Sequence, residues 1–281
     1  MNKKINIIKN AYILFIINVI IFITVVFFRS LYSKLVYKVN SLIGIFGFLI
    51  GQVFSILGIY FIVKANGKLM DWDVYQILFL YGATNISIGI DHLFSDRLWT
   101  VSYWEVKDGK LDTLFLRPLP LLFQVLASEF QTEALGEMVV GIGLMIFSSF
   151  FINLHVTFGN ILFLIVGLIC GALIITSLKI IVASFAFVFK RSGPLLQIVY
   201  NFLNYSKYPM KIFPYFIRII FCFVIPLGIA IYFPVGMLLN IETLYNPYYL
   251  CLIALGFTII LITLSILIWS KFVKQYESTG S

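Results

Sequence analysis

The sequence predicts an all-α membrane protein of six transmembrane helices, preceded by a helix that lies at the membrane interface. Three observations carry that expectation. Of 281 residues, 61% are apolar and 17% aromatic, and the mean hydropathy is +1.03. Only 11% are charged, against roughly 25% in soluble domains. The apolar residues fall in runs near the ~20 residues that cross a bilayer core about 30 Å thick. The basic residues cluster between those runs, as expected of a chain that keeps Lys and Arg on the inner side. The net charge of +8 is therefore read as orientation and not as affinity for nucleic acid.

The chain reads as one transmembrane domain over residues 1–281, and its elements are taken in order. Residues 1–40 form the interfacial part. Within them, Lys3, Lys4 and Lys9 precede an apolar run at 11–28 that imitates a signal peptide. The residues that follow, Phe28, Arg29, Ser30, Leu31 and Tyr32, offer no cleavage site of small residues, so the segment is expected to be retained. With six spans and both termini cytoplasmic, all 20 basic residues except Lys64, Lys68 and Lys179 fall on the inner side. A crossing at 11–28 would carry Lys3, Lys4 and Lys9 outward, so 11–39 is read as an interfacial helix, with a seventh span as the alternative.

The spans themselves are expected at 42–63, 74–94, 134–152, 161–189, 212–233 and 248–269. Spans 1 and 2 occupy 41–94, a cytoplasmic segment 95–120, spans 3 and 4 121–189, a cytoplasmic loop 190–211, and spans 5 and 6 with the tail 212–281. Gly44, Gly47, Gly51 and Gly58 mark a close-packing face on the first span, and Gly167 and Gly171 a second one on the fourth, because small residues let helix backbones approach in lipid. Each is read as packing within one bundle, with a dimer contact as the alternative. Pro226 kinks the fifth span, and 234–247, apolar but too short to cross, is read as a shallow re-entrant turn on the outer side. Cys170, Cys222 and Cys251 sit inside apolar runs without paired spacing, which excludes a disulfide framework and a zinc site. Gln52, Asn85 and Gln131 are read as interhelical hydrogen-bond partners. His92 and His155 receive no role.

The segment 95–120 carries the densest charge of the chain, of both signs: Asp96, Arg97, Glu105, Lys107, Asp108, Lys110, Asp112 and Arg117. Mixed signs suit a protein contact better than an anionic lipid surface. Leu111, Leu114 and Phe115 recur at helical spacing and Pro118 ends the pattern, so a short amphipathic helix is expected here, a knob on the cytoplasmic face. The alternative is a merely solvated loop.

Gly109, Leu111, Asp112, Leu116, Arg117 and Pro118 together resemble the G-x-L-D and R-P-L pattern that type-2 ABC exporter permeases of the daunorubicin and viologen exporter group carry between their second and third spans. Three further stretches agree in the same order: Tyr37 to Asn40; Tyr208, Pro209, Pro214 and Arg218 leading to Pro226 and Pro234; and Tyr276, Glu277, Ser278 and Thr279. The resemblance implies an elbow helix at the N-terminus, six spans, a coupling helix at the knob, a second permease, identical or related, and two copies of an ABC ATPase subunit that hold the ATP and magnesium. It further implies a multi-pass protein of the plasma membrane that exports a drug or peptide. On this reading Asp108, Asp112 and Arg117 fix register against the ATPase and Leu111 and Leu116 fill its groove, with Glu105, Gly109 and Pro118 belonging to the same coupling segment. This chain itself encodes no phosphate-binding loop, since Trp104 and Leu111 stand where Gly and Ser or Thr are required around Gly109 and Lys110. No cofactor is expected on it.

Charged residues within the apolar spans complete the reading. Glu129, Glu133 and Glu137 recur every fourth residue and are expected on one helix face entering the third span. They either attract a cationic cargo or form a wet face against the ATPase or lipid headgroups. Lys179 either snorkels, pairs with Glu137, or lines the pathway. The leading expectation is a permease for an amphipathic or cationic small molecule or peptide. An ion-coupled transporter using Glu137 and Lys179, and a non-transporting scaffold or immunity protein, are the competing classes.

Overall fold

The computed structural model describes residues 38–131, 133–241 and 246–277, with side-chain surroundings from Phe46 onward. The interfacial helix expected within 1–40 lies almost wholly outside the described residues, as do Ser278 and Thr279. Gly44 lies on the first helix, in the part whose surroundings are outside the description.

The described residues are helical and contain no β-strand, only an isolated bridge between Leu69 and Trp72. The main helices are α1 (Lys38–Asn66), α2 (Val74–Ser95), α3 (Glu133–Ser149), α4 (Phe158–Ser184), α5 (Gly193–Asn204), α6 (Tyr215–Val224), α7 (Gly228–Leu238) and α8 (Pro247–Phe272). Four of these, α1, α2, α4 and α8, are long and apolar enough to cross a membrane, and a fifth span results if α6 and α7 are taken together. At 17 residues α3 is about 26 Å long, somewhat short of a 30 Å hydrocarbon core.

Local chemistry explains where the long helices start. Asp73 accepts a hydrogen bond from the Gln76 amide while the Gln76 side chain accepts from the Asp73 amide, both at 2.9 Å, a reciprocal cap that satisfies two free donors at the head of α2. Thr157 caps α4 through the Asn160 amide, and Asn246 with Pro247 opens α8. These three starts lie at one end of the bundle; the predicted knob lies at the other.

Helix α2 is the central strut, buried along most of its length between α3 and α4, and α8 packs on the far side of α4. Two glycines permit the α2 and α3 crossing: a methyl group at Gly82 would stand 2.6 Å from the Gly141 carbonyl oxygen, and one at Gly141 the same distance from the Gly82 oxygen. Gly89 plays the same part against Met138. These three glycines escaped the sequence reading. On α4, Gly167 lies against the Ala230 carbonyl and Pro234, and Gly171 against Ile231 and the Ser87 hydroxyl, so that step does pack within the bundle. Gly47, Gly51 and Gly58 of α1 meet nothing within 4 Å. Among the described residues, their expected contact is not made.

Two further expectations change. The span expected at 212–233 is no single helix: α6 and α7 meet at an 84° bend across Ile225, Pro226 and Leu227, where Pro226 cannot donate to the helix ladder. The segment 190–211, expected as a cytoplasmic loop, is largely helical. Its amphipathic helix α5 buries Leu196 and Leu203, packs along α4, and delivers Ser206 to Thr84, about half-way along α2.

Candidate functional site

At the far end of α2 the chain continues through Arg97–Thr100 and a wide turn at Val101–Glu105, then reverses at Gly109, whose φ of +67° lies in the region that glycine adopts without strain. A four-residue helix, Asp112–Phe115, follows, and Leu121–Ala127 leads back toward α3. The apolar face predicted from spacing exists, but it is divided. Leu111 and Leu114 are buried in a second core with Leu98, Val101, Val125, Ala183, Phe187 and Trp269, at the ends of α4 and α8. Leu116 is 86% exposed, and Arg117 and Pro118 stand beside it in solvent. The expectation that Leu111 fills a partner's groove is thus corrected: this chain's own core already encloses it.

Polar contacts brace the knob from three sides. Glu105 receives the Arg97 Nε–H between its two carboxylate oxygens, each at 3.2 Å, and accepts from the Thr100 hydroxyl at 3.1 Å. The buried Gln124 amide donates to the Leu114 and Leu119 carbonyls at 2.9 and 2.8 Å, satisfying acceptors that so short a helix leaves open. Asp112 accepts from the Tyr276 hydroxyl at 2.7 Å, and the Tyr276 ring stacks on Phe115 with centroids 5.2 Å apart. Burial, together with the donated hydrogen bond to Asp112, pushes the Tyr276 phenol above its ordinary pKa. Asp108 and Lys110 form an exposed pair at 3.3 Å, which contributes little by itself. Gln124 and Tyr276 are residues that spacing does not reveal as knob supports.

Next to the knob lies a buried ionic cluster. Lys179, fully buried, places its Nζ 2.6 Å from Asp91 Oδ2 and 3.0 Å from Asp96 Oδ1, and donates to Ser95 Oγ at 2.9 Å. Thr176 and Ser95 hydroxyls donate to the other Asp91 oxygen at 2.6 and 2.7 Å. Glu137 does not pair with Lys179; it bonds His92 Nδ1 at 2.8 Å, and His92 Nε2 meets the Tyr200 hydroxyl. The cluster therefore ties α2, α3, α4 and α5 together one turn from the knob. Removing one member of a buried pair leaves a bare charge, at a cost of about 3–5 kcal/mol.

The remaining expected residues separate. Glu133 opens α3, where its charge favours the helix N-terminus. Glu129 and Gln131 precede that helix, so the three glutamates do not share one helical face. Gln52 does join helices: its Oε1 accepts from the Tyr81 hydroxyl at 2.6 Å and from Asn85 Nδ2 at 3.1 Å. Among the described residues no group of His, Cys, Asp and Glu is arranged to hold a metal ion.

Compared with known proteins, the chain matches the family model for ABC-2 family transporter proteins over residues 49–280. No curated protein and no solved structure matches it. The matched stretch takes in the bundle, the knob and the tail that braces it, and the chain belongs to the ABC-2 family of transporter membrane proteins.

Proposed function

We propose that this chain is the permease subunit of an ATP-driven exporter in the plasma membrane, moving an amphipathic small molecule or peptide with power from a separate ABC ATPase. Six spans, with the interfacial residues before α1 and both termini cytoplasmic, fit the family. In this topology α3 is the third span, α5 to α7 together form the interrupted fifth, and two permeases, identical or related, stand over two ATPase subunits that carry the ATP and magnesium.

The observation that carries the reading is the exposed tip Leu116, Arg117 and Pro118, held on a knob whose other face is locked into the ends of α4 and α8. A solvated loop has no need of such bracing. A coupling element does, because a push from the motor reaches the spans only through a stiff connection. Leu116 supplies the apolar contact, and Asp108 and Arg117 the register; Glu105, Gly109, Leu111 and Asp112 keep the tip in shape. The cluster around Lys179 joins the four helices that such a push would tilt.

Co-purification tests this directly. The intact chain is expected to retain an ATPase subunit in mild detergent, and Leu116→Asp with Arg117→Ala is expected to release it while the permease keeps its melting temperature. Undiminished retention by the double variant would remove the knob from the coupling role.

A further inference from the structure

We propose that Lys207 is the anion-recognition residue of a cargo site half-way along the bundle, so that the exported amphiphile carries a carboxylate or phosphate headgroup. The inference rests on the transport reading and reverses the sign of the cargo expected from the glutamates.

Among the described residues, Lys179 and Lys207 both lie along the middle helices of the bundle, and their surroundings differ. Lys179 is balanced by Asp91 and Asp96 at ion-pair distance. Lys207 follows Ser206, whose carbonyl lies 3.4 Å from the Thr84 hydroxyl, and its Nζ stands 5.0 Å from the centre of the Tyr81 ring. Tyr81 and Thr84 are interior residues of α2, so the ammonium sits about half-way along that helix and not at its end. Among the described residues no carboxylate lies within 4.0 Å of it. Glu137, the acidic group whose field reaches Lys207, is committed to His92 at 2.8 Å.

An ionisable group at such depth is costly unless it is paired, and one without a carboxylate partner marks a place where a charged ligand can supply one. The face of Tyr81 partly offsets the charge, yet a ring has no lone pair with which to replace an oxyanion. Tyr81 OH and Asn85 Nδ2 converge on Gln52 beside it and supply a polar wall between α1 and α2. Lys207 is only half-buried, so the ammonium remains reachable from that side. A headgroup oxyanion on Lys207, with its tail along the exposed apolar face of α1 formed by Val53, Phe54 and Leu57, satisfies the charge and the apolar surface together.

Binding to the purified permease, in an uncharged detergent and without any ATPase, decides the matter. The probes are a dansyl-labelled fatty acid, its phosphate-monoester counterpart, the trimethylammonium analogue of the same chain length, and inorganic phosphate. Both anionic amphiphiles are expected to bind at least tenfold more tightly than the cation, and Lys207→Gln is expected to erase that preference while Lys207→Arg keeps it. Competition by inorganic phosphate alone would identify the free ion as the ligand class; competition only by the tailed phosphate would identify a lipid-like cargo. Equal or tighter binding of the cation overturns the proposal, and so does an unchanged preference in Lys207→Gln. Should that variant fail to fold, the preference of the native chain and of Lys207→Arg still decides. Loss of the ATPase partner would defeat the transport reading and leave this measurement standing, so the two failures are distinguishable.

Discussion

Two glycine steps of identical spacing have opposite surroundings in this molecule. On α4, Gly167 and Gly171 are pressed against α7 and α2, and added side chains there would strike the Ala230 carbonyl, Pro234, Ile231 and Ser87. On α1, Gly47 and Gly51 meet no other described residue, and α1 touches the described bundle lightly. Spacing thus states that a close approach is possible, but the presence of a neighbouring helix decides whether it happens. Lipid gives helices no hydrophobic reason to associate, so the choice falls to shape and to the few polar groups nearby.

That contrast can be probed by substitution. The largest effect is expected at Lys179→Met, which strips the polar seam that α4 shares with α2 beyond its glycines: a loss of about 3–5 kcal/mol, seen as a collapse of the melting transition in detergent. Leu111→Ala, in the second core between the knob and α4, is expected to lose about 2–5 kcal/mol and to weaken ATPase retention only as a consequence of unfolding. Gly167→Val overpacks a backbone contact and should cost about 1–3 kcal/mol or more, measured by the same melting assay. Tyr276→Phe keeps the ring on Phe115 and removes the bond to Asp112, so about 1 kcal/mol is expected, with hydrogen exchange rising across 108–117. Gly51→Leu on α1 should shift stability by no more than about 0.5 kcal/mol; a large drop there would show that α1 has a partner within the chain after all.

The sequence revealed those features whose cause is local. Apolar length announced α1, α2, α4 and α8, and the Asp73 and Gln76 pair fixes the start of α2 through neighbours three residues apart. Features created by distant partners were hidden. Asp91 and Lys179 meet across two helices, and no spacing rule joins them, so Glu137 was the one pairing partner the sequence offered among three alternatives for Lys179. Leu111 and Leu116 are the same residue type and both are expected against a partner, but Phe187 and Trp269, brought in from α4's end and α8, enclose the first while the second stays displayed. The apolar run at 212–233 gave no measure of how far Pro226 would turn it, and α5 read as a loop because its 12 residues are amphipathic and shorter than a span.

The link between Tyr276 and Asp112 joins positions 164 residues apart. It makes the tail a handle on the knob. A fused tag, a proteolytic nick before Tyr276 or a protein that grips residues 276–277 would slacken the ring stacked on Phe115 without touching Leu116 or Arg117. On the coupling role proposed above, such a grip would leave the exposed tip displayed while loosening the brace that stiffens it.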